Sequence, residues 1–274
     1  MTFRNFTSSL QCICILSLVS CSALNQGLAA IKNPKGFTGI GQNVFIENSN
    51  DMAFGEHIRD ILPTLQDSIE RKQNQKFLKM MPVYLCHTNE SFCTYAGSKY
   101  PGPRAKVTNK GFFISPRLAS SKDRYEIIYH ELSHVAMLQN AGLYRHFKTP
   151  VWFHEGLAAY ISNGGGTGDV TDSAAIREIL KGNHFFPLVK DNILSQKSFR
   201  NKLPPWMNYR QSMLFVRYLK EKDAVKFSHL IENMNNRMAF KKAFEIAYGI
   251  SVQEMWKTFL VEIGKELNQD RAGN

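Results

Sequence analysis

The chain has 274 residues, of which 43% are hydrophobic and 21% are charged, and this composition excludes a disordered or collagen-like protein. The formal net charge of +11 indicates either a solvated basic surface or affinity for anionic lipid headgroups and phosphate-bearing polymers. No RNA- or DNA-binding signature accompanies the charge, so the sequence predicts no nucleic-acid partner.

The N-terminus has the pattern of an export signal. Arg4 precedes an apolar run at residues 10–19 that is too short to span a bilayer. The next residues, "LVSC" at Leu18–Cys21, resemble the lipobox of bacterial lipoproteins. In that family the cysteine carries a diacylglycerol and becomes the mature N-terminus. The resemblance implies lipidation of Cys21, with ordinary cleavage near Ala30 as the alternative.

Strand-like and helical segments follow the signal. Residues 31–50 are rich in Gly and Asn, and the linker expected at 21–50 would contain one short strand at Val44–Ile46. From residue 51 to 79 the apolar residues recur with a helical period, and Pro63 is expected to bend this helix. Two segments of strand character come next, 81–88 and 110–118.

The chain after Ser120 has a helical period to its end. The predicted helices are about 123–140, 151–162, 172–181, 206–221, 224–234, 238–247 and 251–268. The segment Ser162–Asp169, "SNGGGTGD", lacks the Gly-Lys-Ser/Thr ending of a phosphate loop and is expected to be a flexible connector. Strands first and helices afterwards predict an α+β fold with one core, a small N-terminal sheet with a helix and then a mostly α-helical region.

Two cysteines remain outside the predicted signal and lipid anchor. Cys86 and Cys93 form an even pair in an exported chain, so the sequence predicts a disulfide that closes this short loop. Two buried free thiols are the alternative.

The residues that carry chemistry lie in the predicted helix 123–140. His130 and His134 are one helical turn apart and project from the same face, which lets two nitrogens converge on a zinc ion about 2 Å from each. Glu131 is rotated about a third of a turn from His130 and can reach a water at the metal without binding the metal, where a general base must lie. The alternative is a core helix that carries two surface histidines.

The third ligand is expected from "TPVWFHEGLAAY", residues 149–160, because Glu155 follows His134 after a turn and a return helix. Together with His-Glu-x-x-His, this segment resembles the gluzincins, the thermolysin-like zinc peptidases, and it is similar to the bacterial peptidase MA-like families. The similarity extends into residues 209–219 and 247–260, and spans about 80–262.

The resemblance implies roles for individual residues. His130, His134 and Glu155 would bind one Zn²⁺, with His154 as the alternative third ligand, and Glu131 would be the base.

A tyrosine or histidine from a later helix stabilises the transition-state oxygen in this clan. Tyr209 is the expected residue, with Tyr160 and His184 as alternatives; a packed core aromatic is the other interpretation of Tyr209. "GFFIS" at Gly111–Ser115 would be the edge strand that aligns an extended substrate, with a plain structural strand as the alternative.

The sequence departs from the gluzincin pattern in two respects. Ala158 and Ala159 stand where many relatives have an acid that supports a zinc histidine, so that support is expected from Asp169 or Asp172. The chain also lacks the Gly-x-Met-Glu-Asn segment that holds a free amino terminus in the zinc aminopeptidases, so exopeptidase activity is not supported.

The expected organisation is a signal peptide at 1–20, a linker at 21–50 and a single peptidase domain at 51–268. The expected function is that of an exported zinc endopeptidase acting on peptides or proteins in the bacterial envelope, lipid-anchored, with Ser22 favouring the outer membrane where there are two. An anionic envelope polymer is a possible further partner. The alternative is a degenerate peptidase-like binding protein without catalysis.

Overall fold

The structure, a computed structural model, describes residues 32–98 and 102–272, with side chains up to Lys265. It contains two compact units, one formed by the described parts of 32–59 and 82–120 and the other by 60–81 and 121–272. The predicted signal peptide, Cys21 and the cleavage site near Ala30 lie outside the described residues. No helix of the described part is both long enough and apolar enough to cross a membrane.

The first unit is built on a mixed sheet. Its strands are β1 (Thr38–Gly41), β2 (Val44–Ile46), β3 (Val83–Leu85), β4 (Ala105–Val107) and β5 (Phe112–Ile114). Their order across the sheet is β1-β2-β3-β5-β4, with β2, β3 and β5 parallel and the outer two antiparallel to their neighbours.

This order corrects two expectations. The strand predicted at Val44–Ile46 is present, but Thr38–Gly41 pairs with it, so residues 38–46 belong to the sheet and not to a linker. "GFFIS" forms β5, which hydrogen-bonds to β3 on one side and β4 on the other. An interior strand has no free backbone edge to offer a substrate, so the expectation of a substrate-aligning edge there was wrong.

Helices cover this sheet. α1 (Met52–Gln73) begins in the first unit and passes into the second, with Pro63 inside it. A Cβ on Gly55 would lie 2.7 Å from Ile46 Cγ2 and 2.8 Å from Ile40 Cδ1, so only glycine lets α1 approach the sheet this closely. α2 (Asn89–Ala96) and the short α3 (Pro116–Ala119) complete the unit.

The cysteines lie in this unit, and both are free thiols. Thr88 caps the helix that contains Cys93, where the sequence predicted a loop. Cys86 is buried with Phe92 and Phe113 in an apolar cluster. Cys93 is partly buried and packs against the same cluster. Burial raises the pKa of Cys86 to about 12 and also raises the pKa of Cys93, so both stay protonated. The predicted disulfide was therefore wrong.

The second unit is helical, as predicted. After the end of α1 it contains α4 (Arg124–Lys148), α5 (Val151–Ile161), α6 (Asp172–Leu180), α7 (Pro205–Lys222), α8 (Ala224–Asn235), α9 (Phe240–Tyr248) and α10 (Val252–Ala272). Two helices differ clearly in extent: α4 continues past residue 140 through a non-helical kink at Gly142, and α1 ends at Gln73, short of the predicted residue 79. With the N-terminal sheet, this confirms the α+β class.

The aromatic core of this unit holds α5 against α7. Trp152 on α5 is fully buried, with its ring centroid 5.2 Å from that of Phe215 on α7 and 5.7 Å from that of Phe240 on α9. A Cβ on Gly156 would lie 2.6 Å from the carbonyl oxygen of Ser212, so glycine is needed where the two helices touch. Glu155 is next to Gly156 on α5, and Tyr209 lies three residues before Ser212 on α7. The close packing of the two helices therefore brings Glu155 and Tyr209 to the same region.

Candidate metal centre

Two helices joined by a tight turn carry the candidate ligands. His130 and His134 lie on α4, well before its kink at Gly142. α4 ends at Lys148, and α5 begins directly after Pro150, whose fixed φ suits a helix start. The return along α5 brings Glu155 back beside the two histidines. A buried His130–His134–Glu155 group results, in which one ligand atom of each lies within 4.8 Å of the others.

The donor atoms have the spacing that a small metal ion requires. His130 Nε2 is 3.1 Å from His134 Nε2 and 3.2 Å from Glu155 Oε2, and His134 Nε2 is 3.7 Å from the same oxygen. Ligands about 2.0 Å from a tetrahedral zinc ion are about 3.3 Å apart. The three described donors therefore fit one such ion, with a fourth position left for another group.

Burial and charge set the protonation of the ligands. Burial by itself would raise the pKa of Glu155, but its hydrogen bonds with His130, His134 and His154 outweigh burial and hold this pKa well below its usual range. Burial would lower the pKa of His130, yet the hydrogen bond and charge of Glu155 raise it. Glu155 is therefore a carboxylate at neutral pH, the form that binds a cation.

A backbone carbonyl orients His130. Its Nδ1 lies 2.9 Å from the carbonyl oxygen of Gly165, an acceptor only, so Nδ1 carries a proton and Nε2 is the nitrogen that faces Glu155 and His134. Sequence reasoning missed this contact. The hint available was the glycine run that follows the helix of the third ligand.

The glycine-rich segment is ordered and not the flexible connector expected. The Ser162 hydroxyl donates to the Ala158 carbonyl at 2.7 Å and accepts from the Gly165 N–H at 3.0 Å. A Cβ on Gly165 would lie 2.3 Å from the Glu126 carbonyl oxygen, and Gly166, with φ +82°, packs against the His130 ring. Only a chain with glycine at these positions can bring a carbonyl this close to His130.

The acids expected to support the histidines lie elsewhere. Asp169 pairs with Lys122 at 2.7 Å on the exposed surface. Asp172 pairs with Arg210 at 3.1 Å and Arg217 at 2.8 Å. The carboxylates of Asp169 and Asp172 thus form ion pairs with Lys and Arg side chains. The hydrogen bond that orients His130 is instead accepted by the Gly165 carbonyl.

His154 lies behind the ligands. Its ring stacks on that of His134 with centroids 4.1 Å apart and planes at 18°, and its Nε2 faces the ring nitrogens of His146 at 3.2 and 3.3 Å. Burial, with the charge of His134, lowers the pKa of His154 to about 4. His134 Nδ1 is buried and has no hydrogen-bond partner among the described residues. The stacked neutral ring of His154 therefore packs directly against His134.

Tyr209 is next to the centre. Its ring is nearly parallel to that of His130, with centroids 6.4 Å apart and planes at 18°. The charge of Glu155, burial, and the charge of Glu131 together raise the pKa of Tyr209 well above its usual value. Tyr209 therefore keeps its proton and can donate it in a hydrogen bond. Glu131, the candidate base, follows His130 directly on α4 and is half-buried.

The two alternatives to Tyr209 make their contacts elsewhere. The Lys220 ammonium lies over the Tyr160 ring at 5.4 Å. His184 bonds to the Phe185 carbonyl and packs against Phe186 and Trp256.

No protein-family model matches this chain, and the search of curated proteins finds no match. What the geometry shows is a His-His-Glu group that could hold one metal ion and is consistent with a metal-dependent hydrolase.

Proposed function

We propose that this protein is a zinc-dependent endopeptidase of gluzincin type. The observation that carries the proposal is the convergence of His130 Nε2, His134 Nε2 and Glu155 Oε2 at 3.1–3.7 Å. Two imidazoles and one carboxylate with an open fourth position are the donor set of catalytic zinc sites. The order His-Glu-x-x-His and then Glu supports the gluzincin assignment.

Each residue of this chain then has a separate role. Zinc bound by the triad would supply Lewis acidity, which polarises a peptide carbonyl and makes water more acidic. Glu131 takes one proton from the water whose oxygen attacks the carbonyl carbon, and passes that proton to the amide nitrogen as the C–N bond breaks. Tyr209 donates a hydrogen bond to the carbonyl oxygen as negative charge develops on it. The second proton of the water ionises from the new carboxylic acid at neutral pH, so the products are a carboxylate and a protonated amine.

We further propose that the enzyme is exported and anchored through Cys21 in the cell envelope, in the outer membrane where there are two. The support is the signal-like segment and "LVSC", both outside the described residues. Peptides or proteins of the envelope would be the substrates, and the net charge of +11 supports an anionic envelope polymer as a further partner.

One observation favours a second candidate, an envelope binding protein that lacks catalysis. His134 Nδ1 has no described hydrogen-bond partner, and Ala158 and Ala159 are fully buried where an acid would support it. Metal-binding histidines usually donate this second N–H to an oxygen, and loss of that partner weakens metal affinity.

The test compares Glu131→Gln with Glu155→Ala, two changes with different expected effects on zinc. Glu131→Gln should keep about one zinc per chain and lower peptide hydrolysis by roughly 10²–10⁴-fold, because an amide cannot accept the proton. Glu155→Ala should lose most of the zinc and the activity with it. Zinc content by mass spectrometry and cleavage of a quenched fluorescent peptide library give both readouts.

Glu126→Gln is the matched control, because Glu126 is an exposed acid on the same helix. It should change neither zinc content nor cleavage. If Glu131→Gln cleaves peptides like the parent, the peptidase proposal fails. If the parent binds zinc, cleaves nothing and is matched by Glu131→Gln throughout, the binding protein is the better description.

A further inference from the structure

The end of α4 presents apolar side chains to solvent. Gly142 (φ 74°, ψ 159°) interrupts the helix after the ligand-bearing turns, and the last turns begin again beyond it. Leu143 is 55% exposed, Tyr144 67% and Phe147 39%. Three large apolar residues exposed within five positions are unusual for a helix whose other face is buried.

The same turns carry two cations beside these apolar residues. The Arg145 guanidinium lies 5.5 Å from the centre of the Tyr144 ring and the Lys148 ammonium 5.9 Å from it. We call Leu143, Tyr144, Arg145, Phe147 and Lys148 the kink patch. His146, between them, is buried and faces His154, so the turns are fixed to the protein by their other face.

A cavity adjoins the kink patch. It has a volume of about 100 Å³, is open to solvent, and is lined by Arg145 and Lys148 together with Lys241. Met234, Met238 and Phe240 give it apolar walls, and no acid is among the described residues that line it. Lys241 also pairs with Glu245 at 3.7 Å, so Arg145 and Lys148 contribute most of the positive charge at this apolar hollow, which matches an anionic group with hydrocarbon attached.

We propose that the kink patch is a docking surface for an anionic phospholipid bilayer, with a headgroup phosphate at the cationic rim of the cavity. Tyrosine and phenylalanine beside basic side chains are the composition of interfacial membrane contacts. Arginine and lysine within a Debye length of an anionic surface are attracted to it, and the chain's net charge of +11 adds to this attraction. The proposal does not depend on the metal centre or on catalysis.

Vesicle binding tests the proposal, using the full chain with Cys21→Ala throughout to remove the predicted lipid anchor. The patch variant combines Leu143→Ser, Tyr144→Ser and Phe147→Ser. It should lower the partition coefficient onto phosphatidylcholine–phosphatidylglycerol vesicles by about ten-fold or more. The control variant, Leu180→Ser with Val225→Ser and Val261→Ser, removes three exposed apolar residues from other helices and should bind like the parent.

Charge is tested separately with Arg145→Gln combined with Lys148→Gln. This variant should lose binding to phosphatidylglycerol vesicles and change little on pure phosphatidylcholine, and added salt should reduce the difference from the parent. If Arg145→Gln with Lys148→Gln weakened binding of inorganic phosphate but left vesicle binding unchanged, the proposal of a bilayer-docking surface would be overturned.

A local probe reports on the patch itself, independently of the N-terminal segment. Tyr144→Trp should give fluorescence that brominated phosphatidylglycerol quenches, whereas Leu194→Trp, at another exposed apolar position, should not. The proposal would be overturned by an unquenched tryptophan at position 144, or by equal vesicle binding of the patch and control variants. It would also be overturned if the patch caused self-association in sedimentation without vesicle binding, because a second copy of the chain would then be the occupant.

Discussion

Neighbouring residues at the metal centre have different surroundings because a helix turns about 100° per residue. On α5, Glu155 faces His130 and His134, whereas His154 faces His146 and stacks on His134. His130 and Glu131 are likewise neighbours on α4 with different surroundings. Of these two, only His130 belongs to the three-residue donor group. Position on the helix, more than residue type, decides which side chain can bind the ion.

Tyr209→Phe tests the hydrogen-bond donor proposed for the carbonyl oxygen. Because the hydroxyl stays protonated beside Glu155, its removal should lower kcat/KM for peptides by roughly 10–10³-fold, as loss of one such donor does elsewhere. Zinc content should not change, because Tyr209 is not in the donor group.

Tyr160→Phe is the control, since Tyr160 contacts Lys220 and not the triad. Unchanged kinetics for Tyr209→Phe would make Tyr209 a packing residue.

The buried His146 predicts a pH dependence of stability in the zinc-free protein. Burial and the charge of His154 hold the pKa of His146 well below its usual value of about 6.5. The unfolded chain therefore binds more protons than the folded one below that pH. Stability from this group is complete above about pH 6.5 and falls as the pH drops, by at most about 1.4 kcal/mol per pH unit.

Urea denaturation at several pH values between 7.5 and 5 measures this slope on protein stripped with a chelator. His146→Phe keeps a ring in the same place but cannot be protonated, so its free energy of unfolding should fall less steeply with pH. Parallel slopes for parent and variant would show that His146 is not held neutral by the fold.

At the scale of elements, a loop and a helix contact define the centre. α5 approaches α7 at Gly156, which places Glu155 and Tyr209 at one site. The loop after α5 folds back so that the Gly165 carbonyl accepts from His130. The loop keeps this shape through the Ser162 hydroxyl, which ties it to α5. Ser162 is thus a positioning residue that acts on the metal ligand through the backbone.

Ser162→Ala should weaken zinc binding by about 10–100-fold, the usual effect of losing support for a metal-binding histidine. The mutation frees the Gly165 N–H and loosens the carbonyl that fixes the His130 tautomer. A zinc competition titration measures the affinity. ¹⁵N chemical shifts of His130 should show a larger share of the other tautomer.

Thr171→Ala is the matched control. It removes a helix-capping hydroxyl and costs about 1 kcal/mol of stability without touching the loop. Equal zinc affinity for Ser162→Ala and Thr171→Ala would mean that the loop needs no serine to hold His130.

At the scale of the whole molecule, the helical unit alone carries all the candidate catalytic residues, and the sheet unit contains both described cysteines. The candidate metal ligands and the two free thiols therefore lie in different units. The strong positive charge and the proposed N-terminal anchor concern the location of the molecule and not its reaction.

For the protein as we propose it, exported and lipid-anchored, Cys21→Ala should move it from the detergent phase to the aqueous phase in Triton X-114 partitioning. Several acyl chains on one cysteine hold a protein firmly at a membrane, whereas a docking surface without them binds reversibly. Ser22→Ala, which keeps the cysteine, should stay in the detergent phase. A mature N-terminus at Ile31, found by mass spectrometry, would contradict the anchor.

The sequence predicted the features that depend on local geometry. A helical period identified the helices from residue 123 onward, and the spacing His130-x-x-x-His134 put two donors on one face, because neighbours along a helix are also neighbours in space. The order of strands and helices was enough for the α+β class. Glu155 was a candidate because its distance along the chain allows one turn and a return helix, and the resemblance to the gluzincins favoured it over His154.

Only the tertiary structure decided the features that depend on residues distant in the chain. The free thiols follow from Cys86 being packed with Phe92 and Phe113, and β5 is interior because β4 pairs with its outer side. The hydrogen bond from His130 to Gly165 joins residues 35 positions apart, through a carbonyl that no side-chain pattern marks. Backbone groups look alike in every sequence, so the fold alone determines which of them supports the metal ligand.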